Sequence, residues 1–181
     1  VPIGSTVLEV KNLTKEGVFR DVSFSVKEGE ILGIVGESGS GKSVTMYSVM
    51  GLLAQNGSIN EGEIVFNGES IARKDFTDNR SYEKKMREIR GNTMAMIFQD
   101  PMTFLNPVLT IGKQIRETLL NHNPKMTKKE ANERAIELMR QVGIPAPEKR
   151  INQYPFEFSG GMRQRVGIAI GMTYQPKLLL A

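Results

Sequence analysis

The sequence predicts an α/β fold: a core of strands and helices, an N-terminal antiparallel β subdomain and an inserted α-helical subdomain. Three observations carry this expectation. A glycine loop, Gly36-Glu37-Ser38-Gly39-Ser40-Gly41-Lys42-Ser43, stands between a short apolar run and a helix-like segment. β-like segments precede it, and Ile111 to Leu120 and Thr127 to Val142 carry helical periodicity.

The loop satisfies the phosphate-binding pattern G-x-x-x-x-G-K-[ST] at every fixed position. A triphosphate needs several backbone N–H groups turned inward, and glycines let the chain come close enough to supply them. Gly36 through Val44 would supply those amides, Lys42 a point charge for the β- and γ-phosphates, and Ser43 a hydroxyl for Mg²⁺. The helix starting here turns its positive end toward the anion. Upstream, Glu30-Ile31-Leu32-Gly33-Ile34-Val35 predicts a strand buried on both faces of a parallel sheet. Downstream, Val44 to Leu53 predicts a mostly buried helix ended by Gln55-Asn56-Gly57. Strand, glycine loop and helix in this order make a P-loop NTPase core that binds ATP or a related triphosphate.

The other elements follow in chain order. Leu8 to Leu13 and Val22 to Val26 predict strands of a small antiparallel sheet, with Lys27-Glu28-Gly29-Glu30 as a turn. Glu63 to Phe66 adds a strand before the turn Asn67-Gly68, and the polar segment Ile71 to Arg90 becomes helical in its last half. Thr93 to Phe98 predicts a strand running into Gln99-Asp100-Pro101, where proline ends it. Ile111 to Leu120 and Thr127 to Val142 predict two helices, the second opened by a capping box at Thr127 and Glu130 and stopped at Gly143. Ser159 is placed to cap a helix reaching about Thr173, and Leu178 to Ala181 predicts a last strand.

Composition narrows the class. The 181 residues, 39% apolar and 24% charged, suit one folded domain. No apolar stretch approaches the roughly 20 residues that span a bilayer, so a membrane role would come through partners. The formal charge of +4 is spread among acids, as in Lys84-Lys85-Met86-Arg87-Glu88, and aromatic content is 7%, so no nucleic-acid groove is expected. Zero cysteines exclude disulfides and thiolate metal sites. His122, the one histidine, reads as a surface residue.

Beyond the glycine loop come a strand-terminal Gln99 and then Phe158-Ser159-Gly160-Gly161-Met162-Arg163-Gln164-Arg165 at a helix start. That order resembles the ATP-binding cassette (ABC) ATPases of membrane transporters over essentially the whole chain. Met96 to Pro107 and Phe158 to Arg165 look most like oligopeptide and dipeptide importer ATPases, whereas Leu13 to Ile34 looks more like the second cassette of ribose-type sugar importers.

The resemblance implies that Lys42 and Gln99 act in catalysis, that Ser43 and Gln99 hold Mg²⁺, and that Ser159, Gly160 and Gly161 meet the ATP bound by a second ABC ATPase subunit. It implies docking on transmembrane permease subunits through Gln99 to Pro107, with Met102, Phe104 and Leu105 seating a partner helix. An extracytoplasmic substrate-binding protein would engage through the permease, and the subunit would sit on the cytoplasmic face of the membrane. The aromatic residue that stacks on adenine would lie in the first hairpin, where Phe19 is the candidate.

The family's metal- and water-positioning carboxylates would follow Ala181. The resemblance therefore implies an incomplete ABC ATPase domain: residues 1–98 as β subdomain and P-loop core, 99–174 as helical subdomain and signature helix, and 175–181 as the start of the next core strand. Hydrolysis by these residues alone is expected to be severely impaired. Two other readings stay open: a soluble ABC ATPase acting on nucleic acid or the ribosome, and a non-hydrolytic ATP-binding regulatory module.

Overall fold

A computed structural model describes residues 4–53, 59–97 and 105–181. It divides into two compact units, residues 1–90 and 91–181. The predicted helix stop at Gln55-Asn56-Gly57 falls outside the described residues, as do Phe98 to Phe104.

The first unit is built on a four-stranded antiparallel sheet ordered β2-β1-β3-β4. Its strands are β1 (Thr6–Lys15), β2 (Phe19–Lys27), β3 (Glu61–Phe66) and β4 (Glu69–Ser70). Leu8, Val10, Ile64 and Phe66 bury the face toward the core. Alternation breaks between Val10 and Leu13, where the β1–β2 register shifts. Asn12 and Asp21 there take left-handed φ values of 48° and 53°. The Asn12 amide Nδ2 donates to Asp21 Oδ1 at 2.6 Å, which holds the irregularity in place. On the neighbouring strand, Gly62 has φ 102°, and a Cβ there would lie 2.5 Å from Leu13 Cα and 2.6 Å from Asn12 O. The bulge and this glycine therefore require each other.

Helix α1 (Lys42–Val49) is shorter than its apolar pattern predicts. Gly51, at φ 65°, ends it: Leu52 N–H donates to Tyr47 O and Gly51 N–H to Ser48 O, a Schellman stop. Helix α2 (Asn79–Ile89), capped by Asp78, follows a 3₁₀ turn at Arg73–Asp75 and buries Tyr82, Met86 and Ile89. Arg90 just beyond it donates to Met50 O at 2.8 Å and Gly51 O at 2.6 Å, satisfying carbonyls at the end of α1.

One expectation fails here. Glu30 to Val35 does not form a buried strand: it has no regular secondary structure, with Ile31 98% and Val35 96% exposed. No described strand hydrogen-bonds to these residues. An apolar run becomes a buried strand only when neighbours take up its backbone groups and cover its faces.

The second unit pairs β5 (Met94–Met96) in parallel with β6 (Leu178–Leu180), close to the predicted strands. Its core is helical: α3 (Ile111–His122), α4 (Lys128–Gln141), the short α5 (Pro147–Arg150) and α6 (Gly160–Met172), with a 3₁₀ turn at Pro155–Glu157. Ile111, Ile115, Leu138, Met139, Phe158 and Val166 are packed in one cluster. The capping box opens α4 as predicted, with Thr127 Oγ1 accepting from Glu130 N–H and Glu130 accepting from Thr127 N–H. Gly143, at φ 76°, stops it. Leu105 is buried in this cluster, so it does not present itself to a partner helix as the sequence suggested.

Gly62→Ala is expected to cost about 3 kcal/mol in chemical denaturation, because strained φ and backbone contact both oppose a Cβ. The hydrogen bonds from Thr127 hold the Glu130 carboxyl below its usual value of 4.5. Its contribution to α4 is therefore full above that value and is lost as pH falls through the lower folded pKa. Glu130→Gln should flatten that part of the acid limb in circular dichroism.

Candidate nucleotide-binding site

The glycine loop enters α1 without a side-chain cap. Helices α2, α3, α4 and α6 each have a capping oxygen, from Asp78, Thr110, Thr127 and Ser159 respectively. The N-cap position of α1 is Gly41, with φ 91°, no side chain to accept a bond, and no acidic residue in the first turn that follows. Among the described residues, no hydrogen bond takes up the N–H groups of Gly41, Lys42, Ser43 or Val44. A first turn with exposed donors and the positive end of the helix dipole is an anion-binding geometry.

The loop itself is shaped by close approaches. A Cβ on Gly36 would lie 2.6 Å from Ser40 Oγ, and one on Gly41 would lie 3.1 Å from the Phe19 ring. Gly39 adds a second left-handed residue at φ 81°. Ser40 N–H donates to Glu37 O at 3.2 Å, closing a turn. The Lys42 ammonium folds over this turn, donating to Gly36 O and Glu37 O at 2.6 Å each and reaching Ser40 Oγ at 3.2 Å. Behind the loop, Thr45 is buried and its Oγ1 donates to Gly41 O at 2.8 Å. Residues 36–40 and Ser43 are exposed. Phe19 is 9% exposed and packs against Gly41, a supporting contact that the sequence did not disclose.

These groups fit a phosphate chain: free amides, one lysine ammonium and an exposed hydroxyl. No cluster of three or more His, Cys, Asp or Glu side chains suited to a metal occurs among the described residues. That donor set fits Mg²⁺ carried in with phosphates, which needs few protein ligands. Gln99, the other predicted metal ligand, lies outside the described residues, as do Met102 and Phe104.

The second motif lies in the other unit. Ser159 Oγ accepts from Met162 N–H at 3.3 Å, capping α6. Phe158 is 2% exposed and roots the motif in the helical core. Arg163 Nε donates to Phe158 O at 2.9 Å, and Arg165 Nη1 to Gly143 O at 2.6 Å. Gly160 and Gly161 are exposed, and a Cβ on either would meet nothing within 4 Å. Neither is required by packing among the described residues. His122 is exposed as expected, though its ring packs edge-on against Tyr174 at 3.8 Å between centroids.

The chain belongs to the ABC transporter family, whose family model matches residues 19–181. It is 52% identical to the dipeptide transport ATP-binding protein DppD of Lactococcus lactis subsp. cremoris (strain MG1363), over 97% of this chain and 50% of that protein. It is 48% identical to the oligopeptide transport ATP-binding protein OppD of Bacillus subtilis (strain 168), over 97% of this chain and 49% of that one. The chain thus spans about half the length of these curated relatives. Among solved structures, the dimeric bacterial ABC transporter cassette MJ0796 superposes with a TM-score of 0.74 at 26% identity, over 95% of this chain and 72% of that one. The fold is that of an ABC ATPase cassette, incomplete in these residues.

Gly41→Ala should strain the loop at its left-handed hinge and push on Phe19. MgATP affinity is expected to fall at least about tenfold in equilibrium binding with far-UV circular dichroism unchanged.

Proposed function

We propose that this chain is the ATP-binding part of a subunit that energises an ABC importer of peptides. The observation that carries the reading is the uncapped first turn of α1 behind a lysine-bearing glycine loop. The likeness to dipeptide and oligopeptide transport ATP-binding proteins supports the cargo class. In this reading residues 1–181 belong to one ATPase domain, with the P-loop core and the helical, signature-bearing part as its two segments.

Amides from Gly36 to Val44 bind the phosphates, and Lys42 exchanges the carbonyl oxygens of Gly36 and Glu37 for phosphate oxygens. Ser43 and Gln99 hold Mg²⁺, which when bound neutralises charge between the phosphates. Ser159, Gly160 and Gly161 offer α6's entrance to the nucleotide of a second cassette, a role supported by two glycines that packing does not require. Closure of two cassettes on ATP then works on transmembrane permease subunits, which receive cargo from an extracytoplasmic binding protein, with the ATPase on the cytoplasmic face.

Lys42→Ala is expected to weaken MgATP binding by at least about tenfold in isothermal titration, and unchanged affinity would sink the reading. No Asp or Glu follows Glu157 in these 181 residues. They are therefore expected to bind MgATP with phosphate release no faster than the Lys42→Ala variant, since water and metal positioning supply most of the catalysis.

A further inference from the structure

A cavity of about 710 Å³ lies within the second unit, between the C-terminal end of α3, the start of α4 and the turn from α6 to β6. Its volume suits a small organic ligand. Its floor is apolar, with Leu119 buried and Met126 half-buried, and Tyr174 forms an aromatic wall steadied by the His122 ring.

Charges of both signs line it. Lys125 and Arg134 face the cavity, and among the described residues neither pairs with a carboxylate. Glu130 is the one carboxylate in the lining. Thr127 N–H and Oγ1 donate to its Oε2 at 2.7 and 2.8 Å, which fixes the group and keeps it ionised. Partial desolvation of the His122 ring lowers its pKa, which favours the neutral form. Asn123 and Gln175 add amides that can both donate and accept.

A guanidinium and an ammonium without carboxylate partners, lining the same cavity as a carboxylate fixed by Thr127, complement a zwitterion better than a polyanion, which Glu130 would repel. Side-chain amides match the donor and acceptor of a peptide bond, and the apolar floor and tyrosine suit an aliphatic side chain. We propose that this cavity binds a short zwitterionic peptide with an apolar side chain, its carboxylate on Arg134 and Lys125 and its ammonium toward Glu130. Resting on the importer reading above, this makes the ATPase subunit itself a sensor of delivered cargo, at a site separate from the glycine loop.

Titration of the full chain with the dipeptide Leu-Leu tests this. Saturable binding is expected, weakened about tenfold or more by Arg134→Gln and lost for N-acetyl-Leu-Leu-amide, whose termini carry no charge. Lys125→Gln provides a second, surface-loop variant should Arg134→Gln disturb α4. Absence of saturable binding at millimolar Leu-Leu, equal binding of the blocked peptide, or preference for AMP would each overturn the proposal. MgATP binding measured on the same samples separates the two readings: Arg134→Gln should keep it, whereas its absence from the unaltered chain would refute the importer reading and leave the peptide result standing.

Discussion

Among the described residues, the donors at the start of α1 have no partner, and the loop before them is arranged around that fact. A helix entrance costs free energy when its N–H groups go unmet, and at α2, α3, α4 and α6 a side-chain oxygen meets one of them. At α1 the N-cap is a glycine in the left-handed region, so the entrance stays open to an external anion. Keeping it open needs support from behind. Phe19 of β2 lies against Gly41, and Thr45 ties its hydroxyl to the Gly41 carbonyl. The antiparallel sheet thus contributes rigidity to the loop through one aromatic ring.

Helix α6 uses the same physics with the opposite finish. Ser159 caps it, while Gly160 and Gly161 leave the first turn bare of side chains. Phe158 in the helical core and the arginine bonds to Phe158 O and Gly143 O fix where that turn stands. The glycines are exposed, but the segment that holds them is anchored, so the surface they offer is preorganised.

What could be read from the sequence was what local chemistry decides. The capping box at Thr127 and Glu130, the stop at Gly143 and the cap at Ser159 all depend on residues within one turn of each other, and each stands where its pattern placed it. The glycine loop was legible for the same reason. Burial of Ile31 to Val35 was not, because it depends on strands from distant sequence that no local pattern contains. Leu105 misled in the other direction: an apolar residue in a proline-flanked loop looked free for a partner, yet it is buried in the helical cluster. The early end of α1 turned on Gly51, whose left-handed φ makes the stop and whose missing Cβ leaves room for Tyr82 and Arg90 where the apolar pattern ran on. The contacts of Phe19 with Gly41 and of His122 with Tyr174 join residues far apart in sequence, and nothing in either neighbourhood signals them.

Lys42, folded onto Gly36 O and Glu37 O, gives the loop an entrance fee. Hydrogen bonds to a charged group are worth about 1.5–3 kcal/mol each, so a ligand must return two such bonds to draw the ammonium away. A nucleoside has nothing to return, and a single phosphate has few oxygens left once the amides are met. On the proposed function, these resting contacts of Lys42 make the loop selective for a long phosphate chain before any part of the base is recognised.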